Sequence, residues 1–137
     1  MPTSSSAMSL HLRYRLWIAE MNSDISVLRI FSDYLIELES IKNRPDVIAK
    51  IDYFKQQFIT FRKTIDELRH EMQLIKMKLA AAARDYEQAN VKTSSAYDHN
   101  ALKNRYTAFR NTFNKEKKEF ELFTSAASVT SVISVSN

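Results

Sequence analysis

Residues 47–86 read VIAKIDYFKQQFITFRKTIDELRHEMQLIKMKLAAAARDY, and the spacing of their apolar side chains decides the fold. Val47, Ile51, Phe54, Phe58, Phe61, Ile65, Leu68, Met72, Ile75, Leu79, Ala82 and Tyr86 follow one another in alternating steps of four and three without a slip. Side chains spaced this way share one stripe of an α-helix, whereas a strand would need every second residue. The repeat is a heptad with Ile51, Phe58, Ile65, Met72, Leu79 and Tyr86 at position a and the others at d. It predicts a helix over about residues 45–89, on the order of 65 Å long at 1.5 Å per residue. A chain of 137 residues cannot enclose such a rod in a sphere, so an elongated bundle is expected.

The flanking segments supply two partners for this helix. Upstream, Leu10, Tyr14, Trp17, Ile18, Met21, Ile25, Leu28, Phe31, Leu35, Leu38 and Ile41 predict a helix over about 9–43 with Ser9 as its N-cap. Arg44-Pro45-Asp46 ends it, because the residue before proline is pushed away from helical backbone while proline suits a first helical position. Downstream, Leu102, Tyr106, Phe109, Phe113, Phe120 and Phe123 predict a third helix over about 99–124, interrupted where Glu116 takes an apolar slot. The polar run 90–98 reads as the connection, residues 1–8 as a disordered extension and the Ser/Val-rich 125–137 as a disordered tail. The expected fold is all-α, an elongated antiparallel three-helix coiled-coil domain over 9–124. A third helix of that length stops near Thr64 of the second, which predicts a three-helix layer beside Leu10–Met21 and a bare two-helix tip at Pro45. Leu12 and Leu16 would then bury a second face of the first helix.

Composition narrows the chemistry. The chain has no glycine, which excludes glycine-dependent phosphate loops, and no cysteine, which excludes disulfides, thiolate metal sites and cysteine nucleophiles. Twenty basic against sixteen acidic side chains give a net charge of +4, too mild to name a partner. No window holds the roughly 18 consecutive apolar residues that a membrane span needs. Met1–Ala7 lacks the basic and apolar regions of a secretory signal, so a cytoplasmic location is the expectation.

Glu67-Leu68-Arg69-His70 has the E-x-x-H spacing of di-iron helix bundles, but Glu67 falls at heptad c and His70 at f, away from the core, and no second copy exists. Arg62–Leu68 resembles the opening helix of all-α chorismate mutases over seven residues. Leu79 and Asn90 stand where that site would need basic groups. Trp17-Ile18-Ala19-Glu20 resembles the tryptophan segment of spectrin-type repeats, and a buried aromatic anchor accounts for it equally well. No catalytic, cofactor-binding or metal-binding residue is assigned.

Two surfaces remain as candidates. Val27, Ile30, Tyr34, Phe54, Phe58 and Phe61 would lie uncovered at the bare tip, with Leu74 and Met77 behind the second helix, and such patches mark association sites. Lys103, Arg105, Arg110, Lys115, Lys117 and Lys118 outnumber Glu116, Glu119 and Glu121 on the third helix and form a candidate anion-binding face. The sequence therefore points first to a non-enzymatic helical interaction or scaffold module that binds another protein and self-associates as a homo-oligomer. The alternative is a basic nucleic-acid-associated accessory factor.

Overall fold

A computed structural model describes residues 2–40, 44–84 and 89–136, and side chains over 7–40, 44–81 and 99–127. The described residues form three helices: α1 (Pro2–Leu38, 37 residues), α2 (Pro45–Arg84, 40 residues) and α3 (Ala89–Ser136, 48 residues). Both prolines of the chain stand at the first position of a helix, where a missing N–H costs nothing. Arg44 caps α2: its carbonyl accepts from Ile48 N at 3.0 Å. Its guanidinium also makes two bonds to Asp46, at 2.9 and 3.2 Å. Asp46 in the first turn also suits the positive end of the helix dipole. Among the described residues none has a positive φ, so nothing in this backbone calls for glycine.

Contacts fix the helix directions. Lys55 pairs with Glu39, and Arg69 donates to Asn22 Oδ1 at 2.8 Å, so numbers fall along α1 as they rise along α2. Tyr53 reaches Glu116 and Glu71 reaches Arg105, giving the same opposed order for α2 and α3. Tyr14 meets His99 and Asp24 meets Arg110, a constant offset that runs α1 and α3 in the same direction. α2 packs along both neighbours, while the backbones of α1 and α3 stay farther apart.

The heptad of α2 is buried at every described a and d position, from Val47 to Leu79. α1 contributes Ala7, Tyr14, Met21, Leu28 and Leu35 at its a positions, and α3 contributes Leu102, Tyr106, Phe109, Phe113, Phe120 and Ala127. A run of rings joins all three helices: Phe120 lies 4.5 Å from Phe31, 5.0 Å from Phe54 and 5.1 Å from Phe58. No described helix is long and apolar enough to cross a membrane.

The helix ends differ from the expected ones. α1 starts at Pro2 rather than Ser9, drawing residues 2–8 into the helix. α3 starts at Ala89 and ends at Ser136, so neither 90–98 nor the tail to 136 is the non-helical segment expected. Ser, Thr and Val are only weak helix formers, costing up to about 0.7 kcal/mol each relative to Ala, and no glycine or proline stands there to break the run. Ala7 and Ala127, both buried, mark where packing reaches past the expected ends. Ile41, Tyr86 and the side chains of Ala82, of 90–98 and of the Val129–Val135 stretch lie outside what is described.

The longer α3 also removes the bare tip. Phe123, Ala126 and Ala127 line one depression with Arg44, Asp46, Val47 and Lys50, so α3 runs to the start of α2 instead of stopping near Thr64. Leu12 and Leu16 are 56% and 61% exposed, which overturns the expected second buried face of α1. α3 meets α1 on the side of Trp17 and Asp24, and these two leucines point elsewhere.

Candidate functional site

Two places on the rod gather chemistry. The first is the seam between α1 and α3, bridged by long side chains because the backbones are apart. Asp24 occupies a heptad d position between Trp17 and Phe31, where the pattern calls for an apolar residue. It is 6% exposed and the only buried polar or charged residue among those described. Arg110 Nη1 and Nη2 donate to its two oxygens at 3.0 and 2.6 Å. Arg110 Nη2 also donates to Tyr106 Oη at 3.0 Å, Tyr106 donates to Glu20, and Arg110 Nε lies 3.5 Å from Glu20 Oε1. Burial alone would lower the pKa of Arg110, but its bonds to Asp24 and Tyr106 and the charge of Asp24 outweigh it and raise the value. Burial, helped by the bond to Glu20, pushes the Tyr106 phenol well above its ordinary range. The guanidinium lies over the rings of Tyr106, Phe109 and Phe113 at 5.3–5.7 Å, so its flat faces are covered as well.

Two turns toward the chain start from Asp24, Trp17 is sandwiched. His99 stacks on it at 6.0 Å and Tyr106 at 4.8 Å, and Tyr14 Oη lies 2.8 Å from His99 Nδ1. Burial, then the charges of Arg13 and Lys103, lower the pKa of His99. Along this seam Asp24, Arg110, Tyr106 and Glu20 engage one another, as do Tyr14 and His99, while Arg110 Nε is buried without a hydrogen-bond partner. The seam ties α1 and α3 in register.

The second place is the α1–α2 face turned away from α3. Ile18 and Ile25 fill heptad e of α1 against α2; the next e position is Ser32. The missing side chain opens a groove of about 540 Å³ floored by Leu28, Leu35 and Phe58 and flanked by Ile25, Ile36 and Ile59. Ile36 is 64% and Ile59 62% exposed, one on each helix. Arg29, Asp33, Lys55 and Arg62 rim the groove. Farther along the same seam the surface turns polar, with Asn22, Asp66, Arg69, His70 and Gln73 lining a shallower depression.

The candidate interaction residues divide accordingly. Phe54, Phe58 and Phe61 are buried in the chain's own core under Phe113 and Phe120 and are withdrawn as a free surface, because α3 already begins at Ala89 and its expected stripe therefore lies farther along α2 than a non-helical 90–98 would allow. Val27 is half-buried against the core. Ile30, Tyr34, Leu74 and Met77 are exposed. The groove residues Ile36 and Ile59 were missed by sequence reading. Their signal was present in Ser32, the polar break in an Ile-Ile series at e.

The candidate anion face is likewise thinned. Arg110 is bound to Asp24, and Arg105 pairs with Glu71 at 2.7 Å, which lowers the Glu71 pKa. Lys103, Lys115, Lys117 and Lys118 stay exposed, the last three around a shallow depression shared with Asn114 and Glu121. Glu67 and His70 are both exposed, and no metal-ligating group of three or more side chains occurs among the described residues. Glu116, which interrupts the α3 stripe, accepts from Tyr53 Oη at 2.9 Å while its Oε2 is buried without a partner.

No family model, curated protein or solved structure matches this chain.

Proposed function

We propose that this chain is a non-enzymatic helical protein–protein interaction module whose α1–α2 face receives a helix from its binding partner. The observation that carries the reading is the groove at Ser32, with two large aliphatic side chains standing in water on its walls. An isolated exposed isoleucine means little, but a preformed apolar groove with a charged rim suits an amphipathic helix anchored by side chains one turn apart. Its volume falls inside the range of about 300–1,000 Å³ typical of binding clefts. The floor is made of core residues already locked by packing, so little ordering would be lost on docking. A docked helix would complete a bundle layer with α1 and α2.

The test is capture by the immobilised chain from its native lysate, compared with two variants. Ile59→Glu places a charge on the groove wall and is expected to lose the bound protein. Leu122→Glu, an exposed apolar position on α3, is expected to retain it. Equal capture by all three forms would sink the groove as the docking site.

A further inference from the structure

We propose that the α1–α2 face pairs with the same face of a second copy of this chain, hairpin against hairpin, with α1 of each copy lying over α2 of the other. The inference rests on the docking role given to this groove and names its occupant. The symmetry is a two-fold axis parallel to the helices. It keeps each residue at its height along the rod and exchanges the helices beneath it.

Height is read from the cross-helix contacts. Arg69 meets Asn22, Lys55 meets Glu39, and Ile36 and Ile59 flank one groove, so these two isoleucines stand level. The two-fold therefore lays Ile36 of one copy on Ile59 of the other, and the contact occurs twice. Both hold heptad b positions, which face outward from the hairpin on the side away from α3.

The charges obey the same rule. Asp33 of α1 and Lys63 of α2 hold heptad f positions along the outer edges, are exposed, and make no side-chain ion pair or hydrogen bond among the described residues. The exchange sets Asp33 of each copy beside Lys63 of the other at nearly the same height. Arg29, also without an ion pair among the described residues, comes level with Asp66 of the second copy, whose carboxylate already gathers Arg62 and Arg69. Going up the rod, α1 presents a cation and then an anion, and α2 presents an anion and then a cation. Opposite signs meet at both heights, which is the charge complementarity that selects a partner and its register. Ser32 leaves room at the centre for the approaching side chains, and mixed signs around an apolar middle reproduce the usual anatomy of a protein interface.

The absence of cysteine makes the geometry directly testable in this chain. Mixing Ile36→Cys and Ile59→Cys proteins under mild oxidation is expected to give mainly the mixed 36–59 disulfide, since only facing Cβ atoms can bridge. Sedimentation from about 1 to 100 µM is expected to show a monomer–dimer equilibrium. Asp33→Lys and Lys63→Asp are each expected to weaken dimerisation by about tenfold, because each altered pair occurs twice, and the double exchange is expected to restore it. Leu122→Glu should leave the dimer unchanged. Predominant 36–36 and 59–59 disulfides, a monomer at 100 µM, or a double exchange no better than the singles would each overturn the pairing. If the chain stays monomeric while Ile59→Glu still abolishes capture of a different protein, self-pairing fails and the docking role stands.

Discussion

Asp24 on α1 and Arg110 on α3 face each other through two hydrogen bonds, 3.0 and 2.6 Å, at a height where both helices otherwise present rings. A buried ion pair rarely adds net stability, because desolvating two charges costs about as much as their attraction returns. Its use here is register. The backbones of α1 and α3 make little direct contact, so an apolar seam alone would tolerate sliding by a turn. A slip would strand one charge in the core.

Removing one partner is therefore expected to be far worse than removing both. Asp24→Ala should lower the unfolding free energy by about 3 kcal/mol, at the lower end for a broken buried pair because the edge of Arg110 reaches water. Asp24→Leu combined with Arg110→Leu should recover most of that loss. Urea unfolding followed by circular dichroism gives both values. A double variant as unstable as the single one would show that the pair does more than satisfy itself.

How much of this was written in the sequence depends on the helix. The α2 heptad is legible to the last described position, from Val47 to Leu79, because regular spacing leaves one way to bury the stripe. The absent glycine spoke for long helices with few turns, and the described backbone keeps φ negative throughout. Asp24 escaped notice because the neighbouring Ile25 continued the stripe one position away. The reach of α3 escaped because the polar, Ser/Thr-containing run 90–98 carries little helix signal and read as a connection; with α3 starting at Ala89, Phe120 and Phe123 pack on Phe54, well past Thr64, and Ala127 is buried toward the Val47 end. Surfaces inferred from that shortened helix, Phe54, Phe58 and Phe61 above all, went wrong with it.

His99 gives the fold a pH dependence of definite sign. Its pKa is lowered in the folded protein by burial, with Arg13 and Lys103 adding repulsion, so the unfolded chain holds more protons at mildly acidic pH. The contribution is fully present above the ordinary histidine value near 6.5 and is lost as pH falls through it toward the folded value. Stability of the native chain should decline between pH 7.5 and 5.5 more steeply than that of His99→Phe, which keeps the stack on Trp17. Parallel declines in urea midpoints would remove His99 as the cause.

Glu116 should be replaceable to advantage. It interrupts the apolar stripe of α3, and one of its oxygens is buried without a partner. Tyr53, its hydrogen-bond donor, is 43% exposed and can turn to water. Glu116→Leu is expected to stabilise the protein by about 1 kcal/mol, from apolar burial and the relief of an unsatisfied carboxylate. It should also return the Tyr53 phenol toward its ordinary pKa, since the bond to Glu116 is the largest cause of its elevation. Thermal unfolding and an absorbance titration measure the two effects separately.

Ser32 is the position where stability and binding should part company. Isoleucine there would continue the series set by Ile18 and Ile25 and fill the groove from within, burying apolar area that now faces water. Ser32→Ile is expected to raise unfolding free energy by about 1 kcal/mol, a partial share of the usual gain for a buried aliphatic side chain. The same change should abolish docking on the α1–α2 face, because the space for the incoming side chains is gone. A surface evolved only for solubility would lose nothing by the filling. A more stable protein that no longer binds would mean that the gap is kept open for its partner, as expected where function opposes packing. Unfolding and sedimentation measured on the same two preparations decide it: greater stability with undiminished association would take the groove out of the interface.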